Sequence, residues 1–135
     1  EILEEKIRLG IIRGLRATVE LPHGTGARAK RELDFQVAGK TGTATDGAGE
    51  TTDNWFTGGT KSYRVAVWIG RKKKLPLKVT ISPAGEKIQE TGGRNALPIF
   101  IAVMKEIYKN RPKDEFQEET DPTKPFRYSQ DQSVK

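Results

Sequence analysis

The sequence has no cysteine and a single histidine among its 135 residues. Without thiols there is no disulfide scaffold and no cysteine-ligated zinc site, although this absence does not identify a compartment. One histidine, His23, argues against a histidine-centred catalytic triad or a multi-histidine metal site. Set between Pro22 and Gly24, it reads as a loop residue. Long apolar runs are missing too, and nothing approaches the roughly 18 residues that a membrane span needs. The N-terminus lacks the basic-then-apolar order of a signal peptide. It opens on Glu1 without a methionine, on what reads as the middle of a helix. The expectation is therefore a fragment, with any anchor or targeting signal upstream. Serine is scarce, occurring only as Ser62, Ser82, Ser129 and Ser133.

What is present, 34% hydrophobic and 31% charged residues, describes a globular chain. Its length suits one ordinary domain or part of a larger one. The formal charge of +6 invites a nucleic-acid reading. Much of the excess sits in Arg71-Lys72-Lys73-Lys74, just after an apolar strand. No aromatic residues interleave that run as base stacking would require, so it reads as a solvated loop and nucleic acid is set aside. Attraction to an anionic membrane or wall polymer is an equal reading of the same charge.

The stretch Val37-Ala38-Gly39-Lys40-Thr41-Gly42-Thr43 is the centre of the sequence. Phe35 and Val37 read as a strand entering from the interior. Glycine in a strand marks a bulge or a place where another backbone comes close. Residues two apart on a strand share a face, about 6.6–7 Å apart. Thr41 and Thr43 can thus present hydroxyls to one ligand while Lys40 approaches from the neighbouring side, in outline a carboxylate-binding edge. The bland alternative is a solvated lysine beside turn glycines. A phosphate-binding loop, G-x-x-x-x-G-K-[ST], is excluded because position 34 is Asp34 and the residues after Thr41 open no helix.

In chain order, residues 1–19 form an expected amphipathic helix with Leu3, Ile7, Ile11, Leu15 and Val19 as its buried stripe, widened by Ile12. Glutamates early and arginines late suit the helix dipole. Gly10 and Gly14 each lower its propensity by about 1 kcal/mol relative to alanine, so close packing must hold it. Residues 20–34 read as a connector, flexible around His23-Gly24-Thr25-Gly26. Strands are expected over about 35–43, 54–58 and 63–70, with a polar loop over 44–53 and a short turn near Lys61-Ser62. Trp55 and Trp68 are read as core or sheet-face residues. Residues 71–90 form an excursion with a weak strand over 77–81. A second helix is expected over about 95–109, with Leu97, Phe100, Val103, Met104 and Ile107 buried and Pro98 tolerable only in its first turn. Residues 113–135, poor in apolar anchors, read as an extended or mobile tail. The fold class is α+β, an antiparallel sheet flanked by helices.

The residues also carry a family resemblance. Val37–Thr43, then Asp53-Asn54-Trp55-Phe56-Thr57-Gly58-Gly59, then Val65–Gly70, then Thr91-Gly92-Gly93-Arg94, with Gly24-Thr25-Gly26-Ala27 before them, resemble the C-terminal half of a class A penicillin-binding protein transpeptidase domain. The resemblance covers roughly residues 1–112 and implies part of a beta-lactamase/transpeptidase-like fold. It implies a serine acyl-transfer enzyme that joins peptidoglycan stem peptides through their D-alanyl-D-alanine ends and is a target of beta-lactams, with no metal or cofactor. The family's three motifs are S-x-x-K, a serine-containing triplet and K-T-G. By resemblance, Lys40 would lie against the triplet serine. Thr41 and Thr43 would bind the substrate carboxylate, the Thr43 N–H would form half of an oxyanion hole, and Gly42 would let the substrate lie along the strand.

The departure is that none of the four serines begins S-x-x-K or the serine-x-asparagine triplet. The chain is expected to supply one wall of a site whose nucleophile comes from an N-terminal segment of the same protein, either continuous with it or present as a second chain. The implied location is the extracytoplasmic face of the bacterial cytoplasmic membrane, reached only through an upstream anchor. Thr57 and Gly59 stand where the family often has larger apolar or aromatic residues. The alternatives are a non-catalytic wall-binding module and a serine beta-lactamase relative.

Overall fold

Alternation along one strand places the core. In the computed structural model, which describes residues 3–73, 75–78 and 80–125, Asn54, Phe56 and Gly58 are buried while Trp55 and Thr57 are exposed. This strand, β2 (Thr51–Gly59), lies between β1 (Ala38–Thr45) and β3 (Arg64–Ile69) in an antiparallel sheet of order β1-β2-β3. Thr41, Phe56 and Val67 stand side by side across it. Directly opposed residues share a face. The inner face is therefore Thr41, Thr43, Asn54, Phe56, Val65, Val67 and Ile69.

Helix α3 (Gly92–Tyr108) covers that face with Ala96, Leu97, Phe100, Ile101, Met104 and Tyr108, all buried. Phe100 meets Phe56 with ring centroids 4.6 Å apart, the tilted geometry aromatic pairs favour. The antiparallel sheet with flanking helices is the α+β arrangement the periodicities predict. On the opposite face Trp55 and Trp68 are 42% and 49% exposed, with centroids 6.1 Å apart, so they are sheet-face residues and not core.

Several boundaries move. The connector over 20–34 contains a short helix, α2 (Ala27–Glu32), with Ala29 fully buried and Arg28 bridging to Glu32 one turn on. The polar loop shortens because Thr51 and Thr52 are buried and extend β2 backwards, as suits β-branched residues on a half-buried strand. The excursion holds a minimal hairpin, β4 (Thr80–Ile81) with β5 (Lys87–Ile88), while Lys74 of the basic run and Val79 of the expected strand lie outside the described residues. Helix α3 starts at Gly92, capped by Thr91, whose hydroxyl accepts from the Arg94 N–H at 3.2 Å. Pro98 is thus the seventh residue of the helix and not in its first turn. The missing N–H leaves the Arg94 carbonyl without its helical donor, a loss offset by packing of the residues around it. Val103, expected in the buried stripe, is exposed.

The largest correction concerns α1 (Glu5–Glu20). Its buried residues are Leu9, Arg16 and Val19, whereas Leu3, Ile7 and Ile11 are 44–49% exposed. The periodicity is real, and Val19 is buried as expected with Ile12 and Leu15 half-buried, but the helix is rotated so that Leu9 and Arg16 face inward in place of Ile7 and Ile11. Its C-terminal end is held to the sheet by Thr18 Oγ1, which donates to the Gly39 carbonyl. Its other flank is taken by residues 116–124. Arg16 is buried there, bonded to Glu20 at 2.8 Å and to Thr120 Oγ1 at 2.8 Å, with Phe116 beneath its guanidinium. A buried charge is tolerated only when paired and hydrogen-bonded.

The chain after α3 is also tied at Asp114. Its carboxylate accepts from the Tyr108 hydroxyl, from Thr60 Oγ1 at 2.8 Å and from Ser62 Oγ at 3.0 Å. These bonds, Tyr108 first and Thr60 second, hold the Asp114 carboxyl at about 2, below its ordinary 3.8. Of the expected tail over 113–135, residues 126–135 lie outside the described residues.

A carboxyl that binds protons less readily when folded contributes stability above its unfolded value and loses it as pH falls through its folded value. Asp114 should therefore make the melting temperature drop between about pH 4 and pH 2. Thermal unfolding followed by circular dichroism is expected to give a shallower drop for Asp114→Asn; an identical slope would remove this role.

Candidate functional site

β1 is an edge strand, and its free edge changes character along its length. At the inner end the Gly39 carbonyl is taken by Thr18 of α1. Beyond it Lys40, Thr43, Ala44 and Thr45 are exposed. In an antiparallel pair the N–H and C=O of one residue point to the same side, and successive residues alternate. The Gly39 carbonyl faces away from β2, and so does the Thr41 carbonyl, which accepts from Lys40 Nζ at 3.0 Å. The same alternation turns the Thr43 N–H to the open side.

Lys40 stems from the outer face, opposite Thr57, but its ammonium folds round the edge and also reaches Thr41 Oγ1 at 3.3 Å. Thr41 Oγ1 in turn donates to Thr25 Oγ1 at 2.8 Å. Thr43 Oγ1 accepts from the Gly92 N–H at 3.2 Å, which leaves its own proton to donate. The expected residues Lys40, Thr41, Gly42 and Thr43 are thus brought together on one edge. Thr25, from the turn before α2, and Gly92, from the start of α3, join them.

The glycines have structural reasons. A Cβ at position 39 would stand 2.7 Å from the Phe56 ring and 2.9 Å from the Thr57 carbonyl, so Gly39 admits the core aromatic to the sheet. At position 42 it would meet Trp55 Cβ at 3.1 Å. The tightest approach is that of α3, where a Cβ at Gly92 would lie 2.6 Å from the Gly42 carbonyl and closer still to that of Trp55. The first turn of α3 therefore rests directly on the backbones of β1 and β2. Glu90 braces this approach. Its carbonyl accepts from Thr51 Oγ1 at 3.0 Å, and its carboxylate takes bonds from Thr80 Oγ1 and the Asn95 side chain. The Thr80 bond, then that of Asn95 and the charge of Arg94, hold the Glu90 carboxyl below its ordinary value against the effect of burial.

Beside this edge lies a cavity of about 550 Å³, lined by Thr25, Thr41, Thr43 and Thr91 and by Arg28, Arg31 and Arg94. Its lining holds three arginines and no acidic side chain, with Arg28 paired to Glu32 behind it. Hydroxyl donors and the N-terminus of α3 add to its positive potential. The arginines of α2 escape a reading by linear motif because that helix is short and only its packing against α1 and α3 turns it to the strand.

No family model matches the chain, and no solved structure matches it significantly. Curated relatives do. Penicillin-binding protein 1A of Pseudomonas aeruginosa is 36% identical over 92 residues, 68% of this chain and 10% of that protein. The Aquifex aeolicus penicillin-binding protein 1A is 38% identical over 94 residues, 70% of this chain and 11% of the relative. That of Clostridium acetobutylicum is 41% identical over 63 residues, 47% of this chain and 7% of the relative. A helix-flanked antiparallel sheet with a transpeptidase-like arrangement is thus joined to one recurring relative. The chain belongs to the class A penicillin-binding proteins, and it spans about a tenth of the length of the first two relatives named.

Gly92→Ala is expected to push α3 off the sheet and lower stability by about 1–3 kcal/mol, the usual cost of overpacking. Denaturant unfolding checks it; an unchanged midpoint would show that the contact is not needed.

Proposed function

We propose that this chain supplies the K-T-G wall of a D-alanyl-D-alanine transpeptidase that cross-links peptidoglycan and is acylated by beta-lactams. Residues 1–112 form the C-terminal portion of that domain, and 113–135 follow it. The nucleophile is a serine on another segment of the same protein, since none of the four serines here lies in S-x-x-K. Its oxygen attacks the penultimate D-alanyl carbonyl, D-alanine leaves with a proton, and an amine of a second strand then displaces the serine from the ester. Lys40 stabilises negative charge and aids proton transfer at the triplet serine. Thr43, whose hydroxyl proton is free, and Thr41, on turning its proton from Thr25 to the ligand, bind the terminal carboxylate, and Gly42 lets the peptide lie along the strand. The Thr43 N–H donates to the oxyanion; one such donor is worth about 3–4 kcal/mol of barrier.

The observation that carries this reading is the open β1 edge, with Lys40 Nζ 3.3 Å from Thr41 Oγ1 and an outward Thr43 N–H, in a chain whose relatives are named for penicillin binding. The exposed stripe Leu3, Ile7 and Ile11 supports a missing segment that packs on α1. Among the described residues no helix is long and apolar enough to cross a membrane. The proposed place is the extracytoplasmic face of the bacterial cytoplasmic membrane, held by an anchor outside this chain.

In the complete domain, Lys40→Ala should slow acylation by fluorescent penicillin by about a hundredfold or more, the range of a lost acid-base group. Normal labelling removes Lys40 from the mechanism. Rapid loss of the adduct from the unaltered domain would favour a beta-lactamase, and stem-peptide binding without any adduct a wall-binding module.

A further inference from the structure

The cavity beside the β1 edge holds more positive charge than one carboxylate needs. Arg28 is already paired with Glu32 at 2.5 Å. Arg31 makes no hydrogen bond or ion pair among the described residues. Arg94 bonds Thr91 through its backbone N–H, and its guanidinium, although its charge is felt by Glu90, makes no hydrogen bond or ion pair among the described residues. Both side chains are exposed, yet both line the same concave wall, one from α2 and one from α3.

Like charges sharing one cavity repel, and an anion between them relieves that repulsion. A guanidinium has a fixed fork of donors that matches a carboxylate in two bonds at once. A terminal carboxylate held by Thr41 and Thr43 at the strand leaves Arg31 and Arg94 unused. The volume, about 550 Å³, suits several peptide groups and not a lone carboxylate.

We propose that Arg31 and Arg94 form a second anion subsite, selecting acyl-donor peptides that carry a further free carboxylate besides the terminal one. This rests on the transpeptidase reading above and deepens it. The terminal carboxylate, common to every donor and to penicillin, is read by the threonines. The second, present in only some peptides, is read by the arginines, so the first subsite positions and the second discriminates.

The test uses the complete domain and two synthetic peptides ending in D-alanyl-D-alanine, identical except that one side-chain carboxylate is free in the first and amidated in the second. Each is scored by the concentration that halves the rate of labelling by fluorescent penicillin. The free acid is expected to protect at about tenfold lower concentration, a preference that shrinks with added salt. Arg31→Gln and Arg94→Gln should each reduce the preference and together bring it close to one, with Arg31→Lys retaining part of it. Equal protection by the two peptides, protection by neither, or a preference untouched by both substitutions would overturn the subsite. Failure of the unaltered domain to label with penicillin at all would instead overturn the transpeptidase reading on which it rests.

Discussion

The first turn of α3 pressed onto the backbones of β1 and β2 is the contact on which the rest depends. It requires Gly92, since any larger residue would drive a carbon into the Gly42 and Trp55 carbonyls. That single approach does two things. It seats Ala96, Leu97 and Phe100 on the inner face of the sheet, where burial of each large side chain contributes about 1.5–3 kcal/mol. It also delivers the Gly92 N–H to Thr43 and the Arg94 side chain to the cavity. Core and site therefore share one origin, and a displacement that loosened the first would disorganise the second.

The edge that results is electrostatically one-sided. Lys40 and three arginines surround a row of threonine hydroxyls, and Glu32 and Glu90, which touch the segments carrying those arginines, are each bonded to neighbouring donors. Glu32 offsets the charge of Arg28 and Glu90 acts on that of Arg94, so Arg31 and Lys40 are the cations least compensated there. β1 can stay open there because only its inner end is covered by α1, and the lysine it carries opposes pairing with another sheet.

The opposite end of the molecule is closed by the chain that leaves α3. Asp114 gathers Tyr108, Thr60 and Ser62, joining the end of the helix to the turn between β2 and β3. Further on, Thr120 meets the buried Arg16 of α1, and Arg13 holds the Asp121 carbonyl. These bonds are polar, most join residues far apart in sequence, and they make the segment after α3 part of the framework that positions α1 against β1.

Much of this was legible in the residue order. The strand-forming runs over 54–58 and 63–70, separated by a short turn, located the central and outer strands, the three- and four-residue spacing of Leu97, Phe100 and Met104 located α3, and the K-T-G stretch located the edge. Such patterns are readable because they record which side of an element meets the core, a property each element carries alone. The inward face of α1 was only partly legible: Val19 is buried as its spacing suggests, yet Ile7 and Ile11 are exposed and Arg16 is enclosed beside Leu9, because Glu20 and Thr120 meet it there. Not legible were α2, the Thr25 bond to Thr41, and the gathering of Arg28, Arg31 and Arg94, residues separated by up to 66 positions. By itself the sequence determined the elements, their apolar faces and the chemistry of one strand. Only the tertiary structure decided which faces found partners and which distant cations came to share a cavity, because burial and charge convergence belong to the spaces between elements and no single segment encodes them.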